Sequence, residues 1–143
     1  MQTPWAKFSL PGEETPYARG QSPEFRKALR GIFGPLVEWV GQWPAGTHPW
    51  LMTEVPAEGS ISVFFRDLEK RLTPAGSLWV VFPKKPFAEE LGFPFTWSDV
   101  QKAGLAAGLV DNKIAAVSPR LTSLRFVIPL ARRKRREPVA VSR

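Results

Sequence analysis

Residues 78–85 read LWVVFPKK, and the apolar run Leu78–Phe82 within them decides the fold class. A strand with one solvated face alternates apolar and polar residues, so a run without alternation is typical of a strand covered on both faces. Strands of that kind lie at the centre of parallel sheets that carry helices. The run therefore predicts a central strand of a parallel sheet in an α/β protein.

The residues before this strand predict two helices and two further strands. Ser22 followed by Pro23 is a helix start, because a serine N-cap and a proline at the first helical position are both favoured there. Leu36–Val40 favours a short strand, since tryptophan and valine suit a sheet. Ile61–Phe65 predicts another strand, and residues 67–72 predict a short helix.

The residues after the central strand predict a helix and a hairpin. Thr96 and Asp99 have the spacing of a capping box, so a helix should begin there and run to about Ala107. Lys113–Val117 and Ser123–Ile128 are predicted strands, and their link is too short for a crossover helix, which makes the pair antiparallel. Together these elements predict an α/β sheet with an antiparallel C-terminal edge pair and about three helices.

The positive charge is concentrated at one end of the sequence. The chain has 143 residues and a formal net charge of +7, and residues 131–143 hold six Lys and Arg residues against one Glu. We therefore predict one α/β domain over residues 1–130 and a flexible basic tail over residues 131–143. Prolines at positions 4, 11, 16 and 23 predict an irregular N-terminal segment over residues 1–21.

The composition excludes several kinds of site. The chain has no cysteine and one histidine, His48, which excludes disulfides, thiol nucleophiles and multi-histidine metal centres. It shows neither a signal-peptide pattern nor the roughly 20 consecutive apolar residues of a membrane span, so we expect a cytoplasmic protein. One asparagine and fifteen prolines resemble the composition of thermophilic proteins.

Several motifs resemble those of known protein families. LWVVFPKK (Leu78–Lys85), GLVDNKIAAVS (Gly108–Ser118) and LTSLRFVIP (Leu121–Pro129) are similar to a family of small bacterial proteins called domain of unknown function 3052, and TPWAK (Thr3–Lys7) is similar to its opening. From Ile61 onward, the order of elements resembles the C-terminal half of class I methyltransferases. The resemblance implies a Rossmann-like, methyltransferase-like sheet and implies no particular activity.

The chain lacks the glycine turn with which Rossmann-like proteins hold their ligands. That turn follows the first strand and lets the backbone approach the ligand closely. No G-x-G occurs in this sequence, and the nearest glycine spacings are Gly31/Gly34 and Gly104/Gly108. We therefore expect no cofactor and no binding of S-adenosylmethionine, and we predict a non-enzymatic binding or interaction module.

Two lysines that directly follow the central strand are the first candidate site. Ligands of open α/β sheets bind outside the carboxyl ends of strands, where Lys84 and Lys85 could hold a phosphate or a carboxylate. Asp111 could act as an acid or base or pair with Lys84, although an Asp–Asn sequence more often marks a turn. One alternative function is therefore an enzyme with an anionic-ligand site here; the competing interpretation is a solvated strand end.

The basic tail and the aromatic residues provide further candidates. An RNA-associated accessory protein is a second alternative, because the tail could contact an anion or a nucleic acid through Arg132, Arg133, Lys134, Arg135 and Arg136. His48 could be a general base, but no nucleophile or orienting partner is visible, which favours a structural or an exposed histidine. Three tryptophans could fill the core, stack on bases or sugars, or cover a contact in a homo-oligomer: Trp39, Trp43 and Trp50.

Overall fold

A six-stranded mixed sheet forms the centre of the protein, and the computed structural model describes residues 3–136. The strands are β1 (Tyr17–Arg19), β2 (Glu38–Trp39), β3 (His48–Glu54), β4 (Leu72–Pro83), β5 (Val110–Ala116) and β6 (Leu121–Val127). Their order across the sheet is β2-β1-β3-β4-β6-β5. The first four strands are parallel to one another, and β6 runs antiparallel to both β4 and β5. The predicted α/β class and the antiparallel edge pair are confirmed.

Helices cover both faces of this sheet. They are α1 (Pro23–Phe33), α2 (Ile61–Glu69), α3 (Lys85–Ala88), α4 (Trp97–Ala106) and α5 (Leu130–Arg136), with single 3₁₀ turns at Ala6–Phe8 and Gly34–Leu36. The predicted N-caps are confirmed: the Ser22 hydroxyl accepts a hydrogen bond from the amide of Phe25, and Thr96 and Asp99 bond reciprocally. None of the helices in residues 3–136 has the length and apolar character that crossing a membrane requires.

Strand β4 supplies side chains to two separate cores. Leu78, Val80 and Phe82 belong to the core beneath α2 and α4, whereas Trp79 and Val81 belong to the core beneath α1. All five side chains are buried. The apolar run therefore lacks alternation because both of its faces are covered, as predicted.

Residues 61–65 form part of helix α2, so the prediction of a strand there was wrong. The hydroxyl of Ser60 accepts a hydrogen bond from the amide of Val63 and caps the helix. Phe65 and Leu68 are then buried on one helical face, while Val63 is 55% exposed. The β-branched and aromatic residues favoured a strand locally, but the cap and the burial at helical spacing outweigh that weak preference.

The two predicted irregular segments both contain regular structure. Within residues 1–21, Tyr17–Arg19 forms strand β1, which lies between β2 and β3 with Ala18 fully buried. Helix α5 begins at Leu130, so residues 131–136 of the predicted flexible tail are helical. The Arg132 guanidinium pairs with Glu69 at 3.0 Å and also bonds the carbonyl of Gly108. Residues 137–143 of the tail lie outside the described residues.

Candidate ligand-binding site

The order of the parallel strands defines where a ligand would bind. After β1, the chain passes through α1 to β2 on one side of β1, and it then crosses to β3 on the other side. The strand order therefore reverses between β1 and β3. In open α/β sheets, ligands bind in the crevice outside the carboxyl ends of the strands at such a reversal.

A cleft of about 550 Å³ lies at this reversal point. Its volume falls within the roughly 300–1,000 Å³ that is usual for small-molecule sites. The β1–α1 turn, the end of β3 and the end of β4 form its rim. Its apolar wall comes from Val55, Phe64, Phe82, Leu91, Phe93 and Leu121.

The turn between β1 and α1 depends on one glycine. A Cβ atom at Gly20 would lie 2.4 Å from Cε2 of Phe25 and 2.9 Å from Oε1 of Glu54. Real Cβ atoms do not approach other atoms so closely, and a larger residue would push Glu54 away from the turn. Gly20 thus allows close approach between the turn and its neighbours, although the chain has no second glycine two residues later.

A carboxylate from the neighbouring strand holds this turn. Oε1 of Glu54, the last residue of β3, accepts hydrogen bonds from the amides of Gln21 at 2.7 Å and Ser22 at 2.8 Å. These amides precede the first turn of α1, where the helix dipole favours negative charge. Bonds from backbone amides to an ionised carboxylate are short and strong. Glu54 therefore fixes the cleft rim across the β1/β3 crevice.

A second charged group lies beside the cleft. The Arg120 guanidinium is 2.8 Å from Glu90 and 3.7 Å from Glu24, and it lies over the ring of Phe87 at 5.5 Å. Glu24 lines the cleft. Nε of Arg120 is buried and has no partner among the described residues. Arg120 thereby ties the β5–β6 turn to the start of α1 and to the segment after α3.

The predicted site residues Lys84, Lys85 and Asp111 do not come together. Lys84 directly follows Pro83 at the cleft rim, but neither lysine lines the cleft. Lys84 is half-buried and its amide bonds the carbonyl of Arg120, while Lys85 is exposed. Asp111 lies within strand β5 rather than in a turn, and both of its oxygens are 3.3 Å from Nε2 of Gln101.

The sheet register places Asp111 far from Lys84. Asp111 pairs with Phe126, which in turn pairs with Leu78 of β4. Lys84 follows Pro83, which pairs with Leu121 at the other end of β6. The possible ion pair between Asp111 and Lys84 that the sequence suggested is therefore wrong, because the two residues lie near opposite ends of β6. A ligand role for Lys84, Lys85 or Asp111 individually stays a prediction.

The histidine has structural contacts and lies away from the cleft. His48 begins β3, at the strand end opposite Glu54. Its Nε2 lies 2.9 Å from the carbonyl oxygen of Pro44, and its ring packs edge-on against Tyr17 at 5.2 Å. It is buried. The sequence favours a structural or an exposed histidine, and these contacts fit the structural role.

The tryptophans that the sequence singles out pack mainly in the interior. The indole N–H groups of Trp50 and Trp79 both donate to the carbonyl of Phe8, at 2.8 and 3.1 Å. Trp39 packs edge-on against Phe25 and lies beneath the Arg26 guanidinium at 4.3 Å. Trp43 is partly buried against the core. A contact between copies through these residues stays a prediction.

Two residues of the predicted basic contact surface bind the domain itself. Besides the contacts of Arg132, Nε of Arg133 donates to the carbonyl of Ile128 at 2.7 Å. The side chains of Lys134, Arg135 and Arg136 lie outside the described part of the structure. Contact of the tail with a nucleic acid or another anion therefore stays a prediction, with two of its five side chains already engaged.

The residues that form the rim were not found from the sequence. Glu54 lies just after Trp50–Leu51–Met52, an apolar run whose structure could not be assigned from the sequence, and Gly20 follows a strand of only three residues. The available signal was a single glycine placed directly before a helix start at Ser22–Pro23. Such a signal is weak without the strand that precedes it.

Comparisons with known proteins bear on fold and function. No family model matches the chain, so its resemblance to domain of unknown function 3052 is not confirmed, and no curated protein matches it in sequence. Solved structures do match. A TehB-like SAM-dependent methyltransferase from Corynebacterium glutamicum aligns with a TM-score of 0.51 and 12% identity over 79% of this chain and 67% of that one.

Two further structures align over similar lengths. N-methyltransferase NodS from Bradyrhizobium japonicum has a TM-score of 0.55 and 12% identity, over 80% of this chain and 86% of its own. Magnesium protoporphyrin IX methyltransferase from Synechocystis, with bound SAM, has a TM-score of 0.55 and 13% identity, over 88% and 74%. The chain thus has the methyltransferase-like Rossmann fold that its sequence resemblance implied.

These matches correct the predicted function. The sequence predicted a non-enzymatic module that does not bind S-adenosylmethionine, because it lacks G-x-G. That prediction was wrong: the three matching structures named above are methyltransferases, of which the Corynebacterium protein is described as SAM-dependent and the Synechocystis protein is solved with SAM bound. The inference gave too much weight to a single motif, since a turn can be held by other groups, as Glu54 holds this one.

Proposed function

We propose that the protein is an S-adenosylmethionine-dependent methyltransferase whose methyl donor binds in the cleft between β1 and β3. The observation that carries this proposal is the position of the cleft. It lies at the reversal of strand order in a methyltransferase-like sheet, and it has the volume of a small-molecule site. This proposal replaces the non-enzymatic function predicted from the sequence.

The residues of the cleft fit the chemistry of this donor. The donor combines a flat adenine ring with a positively charged sulfonium, and it supplies an activated methyl group to a nucleophilic acceptor. Phe64, Phe82 and Phe93 provide apolar surface for a ring. The carboxylate of Glu54 provides negative charge at the rim. Gly20 keeps the turn close to Glu54, so that the rim is held in place without a ligand.

The donor would be held differently from ligands of proteins with a G-x-G turn. In such a turn, free backbone amides face the ligand. Here the amides of Gln21 and Ser22 already bond to Glu54. Recognition at the rim therefore falls to the carboxylate of Glu54 and to the apolar wall, while the turn positions Glu54.

Calorimetric titration of the full chain with S-adenosylmethionine tests this proposal. A ligand present at about 100 times its Kd should also stabilise the protein by about 2.7 kcal/mol. Ala57 is exposed and lines the cleft, so Ala57→Trp should fill the cleft and abolish binding without disturbing the core. Ala106 is exposed in α4 and does not line the cleft, so Ala106→Trp is the matched control.

The outcomes separate clearly. Saturable binding that Ala57→Trp abolishes and Ala106→Trp retains would support the proposal. Absence of binding to the wild-type chain at millimolar ligand would refute the function. Binding that survives in Ala57→Trp would refute the placement of the donor in this cleft.

A further inference from the structure

We infer that Glu54 makes the cleft selective for positive charge, so that the site prefers the sulfonium of the methyl donor to the neutral thioether of the demethylated product. This inference rests on the proposed function and assigns a specificity-determining role to one residue. It starts from the charges at the rim, which are unequally paired.

The carboxylate of Glu54 has no cationic partner among the described side chains, which are those of residues 3–133. The ion pairs in that range join Arg120 to Glu24 and Glu90, Arg132 to Glu69, and Arg71 to Asp67. The two amides that bond to Glu54 both bond to Oε1. Oε2 accepts no hydrogen bond from a described residue, and it is not a buried atom. One oxygen of an unpaired carboxylate therefore remains available at the cleft.

The other charged residues that line the cleft are Arg19 and Glu24. Nε of Arg19 donates to the carbonyl of Gly41 at 2.8 Å, and Arg19, like Glu54, is in no ion pair within the described residues. Glu24 lies 3.7 Å from Arg120. Of the two carboxylates in the cleft lining, Glu54 is therefore the one without an ion-pair partner within the described residues, and it stands beside an apolar wall.

An unpaired carboxylate next to apolar surface discriminates between ligands by their charge. A neutral ligand that covers the cleft removes water from the carboxylate, and no new electrostatic interaction offsets this desolvation. A ligand with a positive group restores a favourable interaction, which is strengthened where water is excluded. The site should therefore bind a cationic ligand more tightly than a neutral ligand of the same shape.

Methyl transfer removes the positive charge from the sulfur atom of the donor. The bond between the methyl carbon and sulfur breaks, a bond from that carbon to the acceptor nucleophile forms, and sulfur keeps the electron pair as a neutral thioether. The positive charge passes to the acceptor, which can lose it as a proton to water. Since donor and product carry the same amino and carboxyl groups, their difference in affinity isolates the sulfonium. Because Glu54 would bind the sulfonium more favourably than the thioether, it would favour binding of the donor and release of the product.

Glu54→Gln isolates the charge from the fold. The amide oxygen of glutamine can still accept both hydrogen bonds from the turn, so the rim should stay folded while the negative charge is lost. Glu58→Gln is the matched control, because Glu58 is exposed, lies four residues later and does not line the cleft. Dissociation constants for S-adenosylmethionine and S-adenosylhomocysteine would be measured for the three proteins.

We expect the wild-type chain to bind S-adenosylmethionine more tightly than S-adenosylhomocysteine. Glu54→Gln should lower the ratio of the two affinities about tenfold, mainly by weakening the binding of S-adenosylmethionine. Glu58→Gln should keep the wild-type ratio. An equal loss for both ligands in Glu54→Gln, or an unchanged ratio, would overturn the inference while leaving the proposed function intact. A wild-type preference for S-adenosylhomocysteine would overturn it without any variant. If the wild-type chain binds neither ligand, the proposed function fails, and this inference fails with it.

Discussion

Replacing Gly104 by alanine should destabilise the protein, although alanine is the better helix former. Gly104 lies within α4, and a Cβ atom there would be 2.2 Å from Cε1 and 2.6 Å from Cζ of Phe126. Phe126 is fully buried and packs against Phe65, so its ring has little room to move. Alanine should gain about 0.5–1 kcal/mol from helix propensity, whereas overpacking a core costs about 1–3 kcal/mol. We expect a net loss of about 1–2 kcal/mol.

Gly31→Ala provides the control for this prediction. Gly31 is also a helix-interior glycine, in α1, but nothing lies within 4 Å of the position of its Cβ. This substitution should therefore stabilise the protein by about 0.5–1 kcal/mol. Urea denaturation of both variants measures the two changes in free energy of unfolding. Stabilisation of both variants by similar amounts would show that the helix α4 and strand β6 are not packed as closely as the structure indicates.

Three further substitutions test the contacts that position the tail, helix α4 and the cleft rim. Arg132→Ala should lower the free energy of unfolding by about 1–3 kcal/mol, because the buried carboxylate of Glu69 loses its guanidinium; urea denaturation would detect this, and an unchanged stability would contradict it. The backbone amide of Thr96 holds the pKa of Asp99 below its ordinary value of 3.8, so ionised Asp99 stabilises the fold above that pH, and the contribution is lost as pH falls through the lowered pKa. The difference in free energy of unfolding between wild type and Asp99→Asn should therefore become smaller in acid. A difference that grows in acid would contradict this prediction. Glu54→Ala should lower the melting temperature more than Glu54→Gln does, since only alanine leaves both turn amides without their acceptor, and equal melting temperatures would show that the turn does not depend on this residue.

The methyl acceptor is the next question that the proposed function raises. Glu24 of the cleft lining pairs with Arg120, whose guanidinium contacts two carboxylates and whose Nε is buried without a partner among the described residues. Polar groups of that kind are costly to leave unsatisfied. Titration with candidate acceptors in the presence of the donor would therefore best begin with wild type and Arg120→Lys, which keeps the charge and removes the planar fork.

Elements that carry their own signals could be predicted from the sequence. Ser22–Pro23 begins α1, Thr96 and Asp99 begin α4, and the short link between β5 and β6 makes them antiparallel. In each case the deciding interactions join residues that are close in the chain, so the local pattern contains them. The run Leu78–Phe82 also predicts a central strand, because a strand that is buried on both faces has no alternation of apolar and polar residues.

Tertiary structure alone decided the rest. Residues 61–65 have strand-forming side chains, but they form a helix that buries Phe65 and Leu68 in the same core as residues of β4. Strand β1 is too short to be recognised and exists because β2 and β3 pair with both of its sides. Glu54 reaches the turn at Gln21 across 33 residues of chain. Local sequence patterns reflect interactions between residues that are close in the chain. A contact between distant residues depends on the fold that brings them together, so the sequence did not predict the cleft.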